Sequence, residues 1–291
     1  MSDTTNTTGA IGPEDYVEPR CVLCGDPYGT VPEVKPINQQ RVIQKMDEYM
    51  ARRDYAGAER HLLYWLEEAR MGHDLRGQLM VEGELVGHYR KTAERDKALA
   101  HGAEELRLVE ELGYEDSISG GTAFVNVATA MNAFGENERA MELFERARAA
   151  YETHAATRPE LLGGLYNNMA LTCVTLARFD EASQLYELAL AQMARVPGGE
   201  LEQAITYLNM ADAAVAKLGM EAAEGRVYDL LDKAYDLFDA TDAPRDGYYA
   251  FVCEKCAPTF AHYGYFLAAD DLTQRAEQLY AAGGDAGGDA R

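Results

Sequence analysis

Five alanines set the frame of this chain: Ala58, Ala98, Ala140, Ala182 and Ala223 stand 40, 42, 42 and 41 residues apart. Each opens a helix that follows a small-residue helix and a short polar turn, as in Leu165 to Leu190, LYNNMALTCVTLARFDEASQLYELAL. Self-similarity at a fixed period predicts a solenoid of helix pairs, in which each pair buries its apolar face only against its neighbours. Ala128, Ala170 and Ala211 recur twelve residues before Ala140, Ala182 and Ala223, where two crossing helices need small side chains to approach closely.

The 291 residues therefore read as one elongated domain. Residues 1–37 hold helix breakers such as Gly9, Gly12, Pro13, Pro19, Pro27 and Pro36 and are expected to form an extended arm. Residues 38–280 read as the repeat domain, with units 38–72, 73–112, 113–157, 158–199, 200–243 and 244–280. The sixth unit matches the period poorly, as end units do when one face meets solvent. Residues 281–291 read as a flexible tail. Tyr55, Phe144, Phe179 and Tyr186 are expected to fill the interior.

The formal net charge of −22 repels phosphate backbones and argues against nucleic acid as the main ligand. Its distribution is uneven. The first helices of the six units together carry only −2, so the acidity sits on the second helices and the two ends. No apolar run is long enough for a membrane span, and MSDTTNTTGA lacks signal-peptide regions, so a cytoplasmic protein is expected. Nothing here sets an oligomeric state.

The register resembles the tetratricopeptide repeat (TPR), and its length resembles the 42-residue form of kinesin light chains. Asn167, Asn168, Ala170, Phe179, Ala182, Tyr186 and Ala189 occupy the family positions best. The resemblance implies an all-α, right-handed superhelical solenoid of about six antiparallel helix pairs. It further implies that the first helices line a concave groove that accommodates a peptide, and it implies no catalysis.

Fourteen residues before the marker alanine stand Asn126, Asn168 and Asn209, with Asn167 beside the second. In the resembled family this position faces the groove, so the carboxamides would form a row. An amide both donates and accepts, so such a row suits the backbone of an extended peptide; the same amides would equally satisfy local backbone or water. The same register puts Val125, Thr129, Asn132, Leu171, Thr175, Leu208 and Asp212 on the groove, with Arg90 and Lys91 making its early end more basic.

Two C-x-x-C pairs, Cys21 with Cys24 and Cys253 with Cys256, supply four thiols that would complete one tetrahedral zinc site if the arm met the last unit. A redox role and unpaired structural thiols are the alternatives, and Cys173 reads as core. Tyr248, Tyr249, Phe251, Phe260, Tyr263, Tyr265 and Phe266 cluster beside the second pair, as core filler or as a platform for the arm's Tyr16 and Tyr28. His262 would be an alternative ligand or simply a partly exposed side chain.

No nucleophile with base and orienting group appears in a recognisable spacing, and no phosphate-binding loop is present, so no enzyme is expected. The leading expectation is a scaffold that binds a protein or peptide. The alternatives are a zinc- or redox-controlled switch, and a peptide-sensing regulator acting through a protein partner, since 37 breaker-rich residues cannot form a helix-turn-helix domain.

Overall fold

The computed structural model describes residues 33–240 and 245–285. Among these residues it holds twelve α-helices and no strand. They are α1 (Gln39–Ala51), α2 (Tyr55–Met71), α3 (Leu75–Lys91), α4 (Arg95–Glu111), α5 (Ile118–Ala133) and α6 (Asn137–Thr153), followed by α7 (Pro159–Thr175), α8 (Phe179–Met193), α9 (Glu200–Leu218), α10 (Met220–Ala240), α11 (Gly247–His262) and α12 (Phe266–Asp285). No helix among the described residues is long and apolar enough to cross a membrane.

Local chemistry sets the helix starts. Asn38, Asp54, Asp74, Ser117 and Asp246 each accept a backbone N–H of the first turn they precede, and Pro159 opens α7 with its fixed φ. The turns inside pairs reuse one left-handed position, occupied by Arg53, Ala93, Gly135, Ala177 and Gly264. Gly219 alone joins α9 to α10. The end of the N-terminal segment is tied down too: Lys35 N donates to Gly72 O at 2.8 Å, and Ile37 N to Asp74 Oδ2 at 2.9 Å.

Each helix packs on the next in the chain, α10 and α11 through the rings of Tyr235 with Phe260 and Phe238 with Tyr249, and α3, α5, α7, α9 and α11 also pack on one another in that order. The array is therefore two-layered: first helices form one layer and second helices the other. All five marker alanines are buried, as are Ala128, Ala170 and Ala211 at the crossings. Close approach recurs at Gly120, where an added β-carbon would lie 1.9 Å from the Tyr114 carbonyl oxygen.

Two expectations need correction. Tyr55 is 41% exposed in the first pair at the end of the array, whereas Phe179, at the same first position of α8, is half-buried. The helix expected to end near Tyr280 continues to Asp285, since alanine is a good helix former and the glycines that follow Ala281 and Ala282 fall in the last turn.

The core is split. A small cluster (Val42, Met46, Ala58, Leu62, Leu66, Val81, Leu85, Tyr89 and Ala98) is separate from the large one that runs from Leu79 to Ala276. Between them, within the second pair, lie the buried polar residues Gln78, Glu82, His88 and Glu105. Glu82 is 1% exposed, and its carboxylate accepts from Arg70 Nη2 at 3.2 Å and His101 Nδ1 at 2.5 Å. The His101 ring stacks on Tyr89, whose hydroxyl donates to Glu59 at 2.9 Å. This network satisfies one buried acid. It leaves Glu105 Oε2 buried without a partner.

Candidate binding groove

The repeat register places one side chain of every first helix in the same position. Counting fourteen residues back from Ala58, Ala98, Ala140 and Ala182 gives Gln44, Glu84, Asn126 and Asn168, and Asn209 holds the same place before Ala223. In the sixth pair Ala269 stands at the marker and Ala257 twelve before it, both buried, which puts Lys255 in the row. None of the six is buried, and four are half-buried.

Hydrogen bonds knit the amides of this row between units. Asn168 Nδ2 donates to Thr129 Oγ1 at 3.4 Å, linking α7 to α5, and Asn209 Nδ2 donates to Asn167 Oδ1 at 3.1 Å, linking α9 to α7. Asn126 Nδ2 instead donates to Glu105 Oε1 at 3.3 Å. Each carboxamide has four hydrogen-bonding positions, and each of these bonds uses one of them. Thr129 and Thr175 return their hydroxyls to Val125 O and Leu171 O, one turn back, and Thr175 is exposed. Asn132 Oδ1 is buried without a partner.

Several side chains of this layer are desolvated without being fully enclosed. Burial raises the Glu84 carboxyl above the usual carboxylate range and lowers the Arg90 guanidinium, which has no carboxylate to offset it. Burial and then the Arg90 charge lower Lys91, against a small opposing effect of Glu84. Tyr248 is 51% exposed, yet burial first and Glu202 second hold its phenol above the ordinary range. Its hydroxyl donates to Glu202, which lies seven residues before Asn209, as Tyr248 lies before Lys255. Phe251 stacks on Tyr248 and is also exposed. Both aromatics thus stand at the late end of the row.

Of the remaining groove candidates, Val125 and Leu171 are half-buried, and Asp212 accepts from Tyr263 Oη at 2.6 Å. Leu208, expected on the groove, is buried: it occupies the position of Asn167, but there the chain packs an aliphatic side chain inward. Glu84 and Lys255 are not among the groove residues read from the sequence, and Tyr248 and Phe251 read there only as core filler or as a platform for the arm. Counting fourteen residues back from Ala98 identifies Glu84, and extending the alanine register to Ala269 identifies Lys255.

Cys253 and Cys256 lie on one face of α11 at 0% and 3% exposure, inside the large core. Burial pushes their thiols up to about 11 and about 12, which favours the neutral thiol over the metal-binding thiolate. Cys21 and Cys24, with Tyr16 and Tyr28, lie outside the described residues. Among the described residues no group of three His, Cys, Asp or Glu side chains is placed to hold a metal ion. Cys173 is buried as expected, and His262 is exposed against Tyr263.

Six antiparallel pairs, each with a buried alanine in its second helix and the last four with another twelve residues earlier, decide the architecture. The fold is a TPR-like solenoid. Solved structures similar to this solenoid include BtubC (BKLC) from P. vanneervenii, at 18% identity and a TM-score of 0.47, covering 88% of this chain and 96% of that one. A putative kinesin light chain with nearly identical TPR-like repeats from Podosopora anserina is 17% identical with a TM-score of 0.48, covering 70% and 96% of the two chains. A point variant of that same protein is 17% identical with a TM-score of 0.49, covering 72% and 97%. No protein-family model matches the chain, and no curated protein matches it.

Glu105 gives the solenoid a signed pH dependence. Burial, opposed only by the Asn126 hydrogen bond, holds its carboxyl well above the ordinary value, with the Glu82 and Glu84 charges adding to the shift. As pH rises above the ordinary carboxylate range, the unfolded chain loses this proton while the folded chain keeps it, so wild-type stability falls with pH. Gln has the shape of the protonated acid and no proton to lose. Glu105→Gln should therefore raise stability at pH 7 by about 1 kcal/mol and give no gain near pH 4. Thermal melts at the two pH values test this, and equal gains at both would contradict it.

Proposed function

We propose that this chain is a non-catalytic protein-interaction scaffold that holds an extended polypeptide segment against the row of Asn126, Asn168 and Asn209. The observation that carries the reading is the amide row itself: three half-buried carboxamides on successive first helices, fixed by contacts between units. Their spacing repeats along the solenoid, as peptide groups repeat along an extended chain. Thr129, Asn132, Thr175 and Asn167 flank the row, and Arg90 and Lys91 bring positive charge to its early end. The near-neutral first-helix layer, set against the acidic second layer, fits a partner read through its backbone rather than its charge.

An array of extended peptides of varied sequence would find the best binder and measure its affinity. Replacing Asn126, Asn168 and Asn209 together by Ala should weaken that binding at least tenfold, since each lost hydrogen bond contributes about 1 kcal/mol. Gln192→Ala on the second layer should not. Equal affinity of the triple variant and wild type, with helix content intact, would reject the groove.

The cysteines supply a competing reading, a zinc- or redox-controlled switch made by Cys21, Cys24, Cys253 and Cys256. Burial of the second pair favours the first reading. Stoichiometric zinc in reduced, purified protein would reverse that preference.

A further inference from the structure

The first and last units of the solenoid touch. Arg53, in the turn between α1 and α2, brings Nη2 to 2.5 Å from Oε1 of Glu254 on α11, 201 residues further on. The same guanidinium lies over the ring of Tyr280 on α12, 5.4 Å from its centroid, and Tyr280 Oη donates to Glu254 Oε2 at 3.2 Å. Both oxygens of Glu254 are therefore engaged, one by each end of the chain. Arg52 and Glu277 border the same junction.

We propose that Arg53, Glu254 and Tyr280 form an electrostatic latch that closes the solenoid into a ring and opens it again. Three features of these residues support this. Arg53 sits in the left-handed conformation, with φ of 54°, at the turn position that Gly135 and Gly264 occupy in other pairs. Ala93 and Ala177 hold the same position in two further pairs, so this turn admits a side chain, and at Arg53 that side chain reaches across the junction. The interval from Ala223 to Ala269 is 46 residues against 40 to 42 elsewhere, so the last pair alone departs from the repeat spacing. Finally, the Arg53 and Glu254 side chains are 58% and 47% exposed. A pair in that setting attracts weakly and is screened by salt, which makes closure reversible.

Closure bounds the first-helix layer on every side. If the groove binds an extended segment as proposed above, that segment must thread the ring or wait for the latch to open, so the latch would set its rate of entry and exit.

The test uses the full chain without any ligand, so it stands or falls independently of the groove. Small-angle X-ray scattering should show the radius of gyration growing between about 0.05 and 1 M salt as the latch is screened. Glu254→Arg and Arg53→Glu, each alone, should show the expanded value already at low salt, with unchanged helix content. The double reversal, Arg53→Glu with Glu254→Arg, should restore the compact, salt-sensitive form, which a merely structural role would not do. The expected change in the ratio of closed to open molecules is roughly fivefold. A second measurement is independent of shape: in Arg53→Lys, a zero-length carbodiimide should join the introduced lysine to Glu254 at low salt and not at high salt. An identical radius in wild type and both single reversals, or no cross-link at low salt, would overturn the latch.

Discussion

The double variant Arg70→Ala, His101→Ala should lose about 3 to 5 kcal/mol of stability, because it leaves a buried carboxylate with no partner. Glu82 is almost fully buried and, among the described residues, accepts from those two side chains. Each single variant keeps one partner and should lose about 1 kcal/mol, so the combined loss exceeds the sum. Adding Glu82→Met to the double variant should recover most of it, since a well-packed apolar side chain needs no counter-charge. Thermal melts would show the double variant roughly 10 °C below wild type. Small additive losses with no recovery in the triple variant would mean that Glu82 finds other partners.

Gly120→Ala should cost about 3 kcal/mol, for a steric reason with little relief. The new β-carbon would meet the Tyr114 carbonyl oxygen at 1.9 Å, and backbone cannot swing away as a flexible side chain can. Ser117 holds that approach in place: its hydroxyl donates to Tyr114 O at 2.8 Å and accepts from Gly120 N at 3.0 Å. The clash therefore breaks the start of α5 as well as the turn before it. Gly164→Ala, where the added carbon meets nothing within 4 Å, is the matched control and should leave stability unchanged or slightly raised. A loss under about 1 kcal/mol for Gly120→Ala would show that the turn after α4 yields easily.

Most of the architecture was legible because its cause is local. Small residues at helix crossings recur where each pair must cross, and Asp, Asn and Ser mark the helix starts that they cap. The sixth pair was harder to read, since Ala257 and Ala269 keep the internal spacing of twelve but lie off the period between units, after the 21-residue α10. Which atoms the amides bond was not legible at all. Whether Asn209 meets Asn167, or Asn126 meets Glu105, depends on how far successive first helices shift past each other, a quantity no linear register contains. Glu82 and Glu105 are two of 49 acidic residues, and nothing in their type sets them apart from those that face solvent. Glu105 does stand seven residues after Ala98 on the face that also buries Gly102 and Leu108, so helical phase alone would have placed it inside. The meeting of Arg53 with Glu254 sums the curvature of six pairs and is the least local feature of the chain.

The polar seam through the second pair has a mechanical consequence. An apolar core resists shear because every displacement opens gaps among close-packed atoms, whereas a hydrogen-bonded seam can exchange partners or admit water as it yields. Strain applied to the array would concentrate between α3 and α4, where Gln78, Glu82, His88 and Glu105 interrupt the packing, and the long core from α5 onward would travel as one stiff body. The amide protons nearest that seam would then be the first in the interior to exchange with solvent, ahead of those beside Ala140 and Ala182.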